Sequence, residues 1–246
     1  MARRSQTGNP EVLRLKLVEL LHDLPERLRS GTIGEQVSSL VEVNLHLRAL
    51  GASIGASLSP ESGGSGRSRL LAYLRHQVGR IVHTDELLIV AGIGDYPRRI
   101  RELRADHGWP IISGLAVRDM RADTAAAGKR NRGVEQVSKM VAEEYLLIED
   151  TCDPDAIGRW EQAVTIRDQS SDVKSAVLAY LKRAPGKRVT AEELRYVAGN
   201  SSTWPAAVRE LRDEGWSIAS KDAGSEDLPW GLYILDSGRR EARSRD

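Results

Sequence analysis

Residues 71–111 read LAYLRHQVGRIVHTDELLIVAGIGDYPRRIRELRADHGWPI, and residues 178–218 read LAYLKRAPGKRVTAEELRYVAGNSSTWPAAVRELRDEGWSI. The two stretches align over about forty positions, with a one-residue shift that begins after Gly92/Gly199 and ends before Gly108/Gly215, and chance does not produce such a match. The matched pairs include Tyr73/Tyr180, Glu86/Glu193, Gly92/Gly199, Pro97/Pro205, Leu103/Leu211, Arg104/Arg212, Gly108/Gly215 and Ile111/Ile218. The chain therefore contains two diverged copies of one structural unit.

Each copy has the residue pattern of three helices followed by a β-hairpin. In the first copy, apolar residues at helical spacing predict helices over residues 68–77 and 84–91. A turn at residues 92–95 precedes a third helix, which starts at Pro97 and ends at Gly108. Residues 109–113 and 145–148 then have the composition of two strands. This order is that of a winged helix-turn-helix unit, and the second copy repeats it.

The two copies differ in the cap of their second helix and in the length of their hairpin loop, or wing. Thr190 and Glu193 form a capping-box pattern in the second copy, whereas Thr84 lacks the matching Glu and predicts a weaker cap. The second wing is short, at residues 221–230. The first wing spans residues 114–144, which is long for an unstructured loop, so we expect residues 134–144 to be partly helical.

The remaining residues predict an N-terminal helical hairpin and one connecting helix. Apolar residues at helical spacing cover residues 11–24 and 34–50, which pack on the first copy or serve in dimerisation. We therefore predict a mainly α fold with small β wings, in the α+β class, with tandem winged helix-turn-helix domains plus this hairpin. The predicted boundaries are 1–57 for the N-terminal helical hairpin, 58–67 for a linker, 68–150 for the first winged domain, 151–171 for a connecting helix, 172–236 for the second winged domain and 237–246 for a disordered tail.

The bulk composition excludes several classes of protein. A single cysteine, Cys152, cannot build an internal disulfide framework or a cysteine-rich zinc site. The N-terminus lacks an apolar signal segment, and no stretch approaches the roughly 20 apolar residues of a membrane span. We therefore expect a cytoplasmic protein without a membrane partner. The net charge is only +1, so attraction to a nucleic acid must come from a local basic patch.

The third helix of the first copy carries such a patch. Ile100 and Leu103 lie three residues apart and must face the core, which leaves the other side of the helix to basic residues. In a helix-turn-helix unit this helix enters the major groove, where the Arg fork matches guanine edges or phosphate oxygens. A solvated face with Arg–Glu pairs is the alternative. The predicted DNA-contacting residues of this helix are Tyr96, Arg98, Arg99, Arg101 and Arg104.

Two further groups of residues are candidates for DNA contact. The third helix of the second copy has small and polar outward residues that suit bases or phosphates, although its Trp204 suits packing equally well. The tip of the first wing is basic and suits a minor groove or flanking phosphates, or it is a disordered loop. These residues are Ser201, Ser202, Thr203, Trp204, Arg209, Arg212 and Lys221 in the second copy, and Lys129, Arg130 and Arg132 in the first wing. Because the outward residues differ, the copies read different sequences or one only supports the other.

No catalytic motif is recognisable. The chain has no Walker-type phosphate loop and no dinucleotide fingerprint, and its five histidines lack metal-ligand spacing. The pair Asp106-His107 lacks the rest of a metal-dependent nuclease motif. The carboxylates at positions 143, 144, 149 and 150 cluster near a strand without a clean nuclease arrangement. We therefore predict no catalytic residue, no metal site and no cofactor, with an unrecognised acidic endonuclease site as an alternative.

Several short segments resemble the winged-helix specificity regions of bacterial restriction endonucleases of the HNH class. These segments are ELRYVAG at residues 193–199, VRELR at 208–212, GW at 215–216 and DLPWGLYIL at 227–235. The likeness covers residues 67–236. In that family the nuclease domain follows the second winged helix, and the HNH residues are absent from this sequence. The resemblance implies target recognition in a restriction or defence system, with cleavage supplied by a partner nuclease or lost.

The sequence thus predicts a sequence-specific binder of double-stranded DNA, the target-recognition component of a restriction or defence system. A dimeric winged-helix transcriptional regulator and a restriction endonuclease are alternatives. A winged helix that contacts only proteins is a further alternative. The expected protein partners are a second copy, bound through the N-terminal helices, and a nuclease.

Overall fold

The computed structural model describes residues 8–58, 64–126 and 137–240, with side chains as far as residue 236. It is mainly helical with two small antiparallel sheets, which confirms the predicted α+β composition. The chain divides into two compact units, residues 1–77 with 82–101 and residues 78–81 with 102–246. In the described part of the chain, none of the helices has the length and apolar character needed to cross a membrane.

The first unit opens with a helical hairpin, α1 (Pro10–Ser30) and α2 (Ile33–Ser57). Asn9 caps α1, because its Oδ1 accepts a hydrogen bond from the backbone N–H of Glu11 at 2.9 Å. Thr32 and Glu35 form a capping box at the start of α2. The short connection between α1 and α2, residues 31–32, turns the chain back on itself, so the helices run antiparallel. Both helices of the predicted hairpin are present, and both extend beyond the predicted ranges.

The rest of the first unit contains α3 (Gly66–His76), α4 (Thr84–Ala91) and the first part of α5 (Tyr96–Ala105). A short strand that the sequence did not predict, β1 (Ile81–His83), precedes α4. The buried apolar side chains of these elements include Leu70, Leu74, Val82, Leu87, Val90 and Ile100. Apart from Val82, which lies in β1, these residues have the helical spacing from which the helices were predicted.

The cap of α4 differs from the expectation of a weak cap at Thr84. The capping residue is His83, whose Nδ1 accepts a hydrogen bond from the backbone N–H of Asp85 at 3.2 Å. Glu86 completes the capping box, because its Oε1 accepts from the backbone N–H of His83 at 3.0 Å. Histidine is not among the usual capping residues, so the pattern was missed.

The second unit contains the remaining elements around one apolar core. Its helices are α6 (Gly114–Ala126), α7 (Ala156–Gln169), α8 (Val173–Arg183), α9 (Ala191–Val197) and α10 (Trp204–Asp213). Its strands are β2 (Ile111–Ser113), β3 (Glu144–Leu147), β4 (Val189–Thr190), β5 (Trp216–Ser220) and β6 (Leu232–Arg240). The core includes Ile112, Val117, Met140, Tyr180, Leu194, Trp204, Leu211 and Leu235.

The two sheets have the same strand order, β1-β3-β2 and β4-β6-β5. β2 pairs antiparallel with β3, and β5 pairs antiparallel with β6. Equivalent turns also make equivalent hydrogen bonds, since Gly79 N donates to Leu147 O at 2.9 Å and Gly186 N donates to Leu235 O at 2.8 Å. The repeat seen in the sequence is therefore a repeat in the structure. β6 continues to Arg240, past residue 236, where the disordered tail was predicted to follow.

The first wing is the largest difference between the copies. Within residues 134–144, which were predicted to be partly helical, the described residues 137–144 contain the 3-10 turn Val137–Lys139. The wing also contains α6, which the sequence did not predict and which starts directly after β2. Gly114 permits this start, because a Cβ on it would lie 1.6 Å from the carbonyl oxygen of Val141. The second wing holds only the 3-10 turn Lys221–Ala223.

Candidate nucleic-acid interface

The turn between α4 and α5 is held by two arginines of the first unit. Gly92 ends α4 with a left-handed φ of 64°, which favours glycine. Arg69, 3% exposed, donates from Nε to Val90 O at 3.0 Å and from Nη2 to Ala91 O. Arg48 donates from Nη2 to Gly92 O at 3.3 Å. The helix dipole favours cations at a helix C-terminus. Because the two guanidinium groups bind the last carbonyl oxygens of α4 and that of Gly92, they hold the turn from which α5 leaves.

α5 buries its apolar residues and exposes part of its basic surface. Ile100 and Leu103 are each 1% exposed, as their spacing predicts. Arg98 and Arg101 are exposed, while Tyr96 and Arg99 are half-buried. In the described residues of the first unit, α5 therefore presents guanidinium groups on the side opposite its buried pair.

Arg104 does not lie on the outer surface, where the sequence analysis placed it. Its Nε donates to Ile111 O at 2.6 Å, and its Nη2 lies 3.3 Å from the Glu192 carboxylate. The matched residue of the second copy makes the same contact, because Arg212 Nε donates to Ile218 O at 2.9 Å. This arginine thus ties the third helix to the following strand in both copies. The signal was present in the sequence, since both the arginines and the isoleucines are matched pairs of the repeat.

The predicted DNA-contacting residues of α10 are in different surroundings. Trp204 is fully buried and packs edge-on against Tyr233, with ring centroids 5.7 Å apart. Arg209 forms a salt bridge with Asp123 of α6 at 2.8 Å. At the start of the helix, Ser202 and Thr203 are exposed and Ser201 is half-buried. The exposed polar side chains of this predicted set therefore lie just before α10, at Ser202 and at the capping residue Thr203.

α6 lies against α9 and α10 within the second unit. Asp119, 2% exposed, accepts a hydrogen bond from Arg195 Nε at 2.9 Å. Met120 Sδ accepts a hydrogen bond from the Tyr233 hydroxyl at 3.1 Å. Together with Asp123, these residues make α6 a cover over α9 and α10. The long wing of the first copy thus contributes a helix, α6, whose apolar residues pack in the same core as those of the second copy.

Of the basic residues predicted in the two wings, the structure describes only Lys221 of the second wing. Lys129, Arg130 and Arg132 lie outside the described residues. Lys221 is half-buried in the second wing, and its Nζ donates to Glu226 O at 3.4 Å.

A buried polar network joins the helices of the second unit. Glu193 accepts from Tyr180 Oη at 2.8 Å, from Arg159 Nε at 3.0 Å and from Thr190 N at 2.7 Å. Burial opposes the charge on Arg159, but Glu193 and Asp153 outweigh it and raise the pKa of Arg159. Burial, followed by the Glu193 charge, raises the pKa of Tyr180. Because every member has a charged partner or a hydrogen bond, the network is a structural element of this unit.

The first copy repeats one bond of this network. Tyr73 donates to Glu86, the pair that matches Tyr180 and Glu193. Burial and this hydrogen bond raise the pKa of Tyr73 to about 12. Glu86 is exposed, so the pair is a surface version of the buried one.

The acidic residues near β3 form structural contacts. Glu149 pairs with Arg188 at 2.9 Å, and Glu144 accepts from the backbone N–H of Val141 at 2.8 Å. Among the residues that the structure describes, no group of three or more His, Cys, Asp or Glu is placed to hold a metal ion.

Comparison with known families identifies the group to which this chain belongs. The model of the KpnI N-terminal domain matches residues 67–147 and 174–236, more than half of the chain. The chain is therefore a member of the KpnI N-terminal domain family. The relation to a restriction enzyme confirms that part of the resemblance seen in the sequence. The matched ranges contain the two copies, and α1 and α2 lie outside them. The searches of curated proteins and of solved structures gave no match.

Proposed function

We propose that this protein binds double-stranded DNA sequence-specifically, as the target-recognition component of a restriction or defence system. Each copy is a winged helix-turn-helix unit in this proposal, and α5 is the helix that enters the major groove. One observation carries it: α5 exposes Arg98 and Arg101 opposite buried Ile100. Membership in the KpnI N-terminal domain family supports the restriction role.

The chemistry of α5 suits a DNA groove. Each Arg has a planar fork of donors that bonds a guanine edge or a phosphate in a bidentate way. The turn held by Arg48 and Arg69 gives the helix a fixed direction, which reading of a base sequence requires. Phosphate contacts release counterions, so affinity should fall steeply with salt concentration.

The second copy has a supporting role in this proposal. Arg209, which matches exposed Arg101, is held by Asp123 of α6. Ser202 and Thr203, just before α10, are exposed and are proposed phosphate contacts. The basic residues of the first wing, Lys129, Arg130 and Arg132, are proposed phosphate or minor-groove contacts.

The test is selection of bound duplexes from a random library, followed by affinity measurements on the selected site. Changing Arg98 and Arg99 to Ala should weaken binding by about 1–3 kcal/mol for each direct bond to a base that the change removes. Arg209→Ala changes the counterpart of Arg101 in α10; it serves as the control and should leave affinity for the selected site unchanged. Equal binding by the wild type and the Arg98/Arg99 double variant would remove α5 as the reading helix.

Incubation with plasmid DNA and Mg²⁺ or Mn²⁺ separates recognition from cleavage. Cleavage by the purified chain would favour the endonuclease alternative over a recognition protein that depends on a partner nuclease. Binding without cleavage supports the proposal.

A further inference from the structure

The helical hairpin α1–α2 has one apolar side that no described residue of the first unit covers. On α1, Leu20 is 4% exposed, whereas Val18, Leu21 and Leu28 are 53%, 48% and 37% exposed. On α2, the exposed apolar side chains include Ile33 at 79%, Val37 at 55%, Leu40 at 49% and Leu47 at 43%. Large apolar patches on a soluble surface mark sites of interaction.

These side chains fall into one stripe on each helix. On α1, Val18 and Leu21 each follow an inward residue, Leu17 and Leu20, by one position. On α2, Val37 likewise follows Gln36, whose side chain donates to Leu28 O at 2.8 Å and so faces α1. One residue turns about 100° around a helix axis. The exposed stripe is therefore displaced in the same sense from the inward stripe on each helix.

In an antiparallel pair, equal displacements of this kind place both stripes on the same side of the hairpin. We call this side the hairpin face: Val18, Leu21, Leu28, Ile33, Val37, Leu40 and Leu47. The opposite side carries charge instead. Arg27 and Glu42 form a salt bridge across it at 2.9 Å, and Lys16 pairs with Glu19 at 2.9 Å. The exposed apolar side chains are thus concentrated on the hairpin face, and these ion pairs lie on the other side.

We infer that the hairpin face binds the same face of a second copy, which produces a four-helix bundle around a two-fold axis. An uncharged face needs an uncharged partner, and a second copy supplies one with the same helix spacing. Each chain contributes seven large apolar side chains that are 37% to 79% exposed, enough to form the apolar centre of an interface in which each partner buries ~800 Å².

The pairing rests on the proposed function for its biological meaning. α1, α2 and the exposed part of α5 belong to one compact unit, so a two-fold axis through the hairpin doubles the reading helix. Two equivalent reading helices recognise a palindromic site with two equivalent half-sites.

The test measures molar mass by light scattering or sedimentation across a wide range of protein concentration. The full chain should have twice its 27.1 kDa monomer mass. The variant L21E/L40E places two carboxylates in the hairpin face and should be monomeric with an unchanged circular dichroism spectrum. The control L15E/L45E alters residues that are equally exposed, at 54% and 56%, but lie outside both stripes, and it should remain dimeric. A monomeric wild type, or the same mass for both variants, would overturn the pairing.

DNA affinity separates a failure of pairing from a failure of DNA binding. L21E/L40E should bind a single half-site as well as the wild type does, but a palindrome at least ten-fold more weakly. If the wild type binds no duplex, the proposed function fails while the mass measurement still decides the pairing. If L21E/L40E is monomeric and binds the palindrome as the wild type does, the doubled reading helix is wrong.

Discussion

The third helices of the two copies, α5 and α10, have the same place in the fold but different surroundings. Arg101 of α5 is exposed, whereas its counterpart Arg209 is paired with Asp123 of α6. Tyr96 is half-buried, whereas its counterpart Trp204 is fully buried. A duplicated unit can therefore keep its internal contacts while the outer side of one copy becomes a packing surface. Four experiments test how far this difference extends.

The largest contrast is expected at the matched glutamates that complete the capping boxes. Glu193→Ala leaves Arg159 buried without this partner and should reduce the free energy of unfolding by about 3–5 kcal/mol. Glu86→Ala removes an exposed cap and the surface hydrogen bond from Tyr73, and should cost about 1–2 kcal/mol. All five tryptophans belong to the second unit, so their fluorescence in urea follows that unit, and circular dichroism follows the whole chain. Equal losses for both variants would contradict the difference in burial between the copies.

The matched arginines that tie helix to strand should differ by less. Arg104→Met leaves the Glu192 carboxylate, 8% exposed as a residue, without its arginine partner but with the hydrogen bonds from Ser113, and should cost about 2–3 kcal/mol. Arg212→Met leaves Asp222 in solvent contact and should cost about 1 kcal/mol. Urea unfolding measures both. DNA affinity of the folded Arg104→Met variant should equal that of the wild type, and a specific loss of affinity without a loss of stability would make Arg104 a DNA contact.

The cover that α6 places on α10 can be loosened directly. Changing Asp119 and Asp123 to Ala removes two ion pairs, to Arg195 and Arg209, and should lower the stability of the second unit by about 1–2 kcal/mol. The length of the protected DNA in a footprint should not change, because the proposed function gives α10 only a supporting role. A longer footprint in this variant would show that α10 is a reading helix held closed by α6.

The smallest effect is expected from the matched tyrosines under alkaline conditions. The pKa of Tyr73 is raised to about 12, and that of Tyr180 is raised by deeper burial beside Glu193. A raised tyrosine pKa stabilises the folded chain below about pH 10, and this contribution is lost as the pH rises through the folded pKa. In a spectrophotometric titration, Tyr73→Phe should remove a late step near pH 12, while Tyr180→Phe should change only the phase that accompanies unfolding. Loss of an early step in either variant would contradict the hydrogen bonds to glutamate.

The repeat allowed much of the fold to be predicted from the sequence. Apolar spacing placed the helices of both copies, and the inward direction of Ile100 and Leu103 was correct. The family relation was visible in segments such as ELRYVAG and DLPWGLYIL. These features depend on local spacing, which a single sequence displays directly.

Contacts between distant residues could not be predicted in the same way. The pairs Asp119–Arg195 and Asp123–Arg209 join residues far apart in the chain, and no local pattern links a wing segment to the following copy. Arg104 is a residue type that often contacts DNA, and it lies in a basic helix. Only the three-dimensional structure shows that its guanidinium group binds Ile111 O and the Glu192 carboxylate. For the predicted DNA-contacting residues, sequence spacing gave the side of the helix on which each one lies. It did not show which arginines form contacts within the protein, as Arg104 and Arg209 do.

The placement of α6 also limits how this chain can be divided or recombined. Ala116, Val117 and Met120 lie in the wing of the first copy. Their side chains nevertheless belong to the core that contains residues of α8, α9 and α10. A fragment that ends at residue 150 would expose them to water, and one that begins at residue 172 would lack them. Under the proposed function, hybrid proteins with altered specificity are therefore better made by exchanging the outward residues of α5 than by joining halves at the repeat boundary.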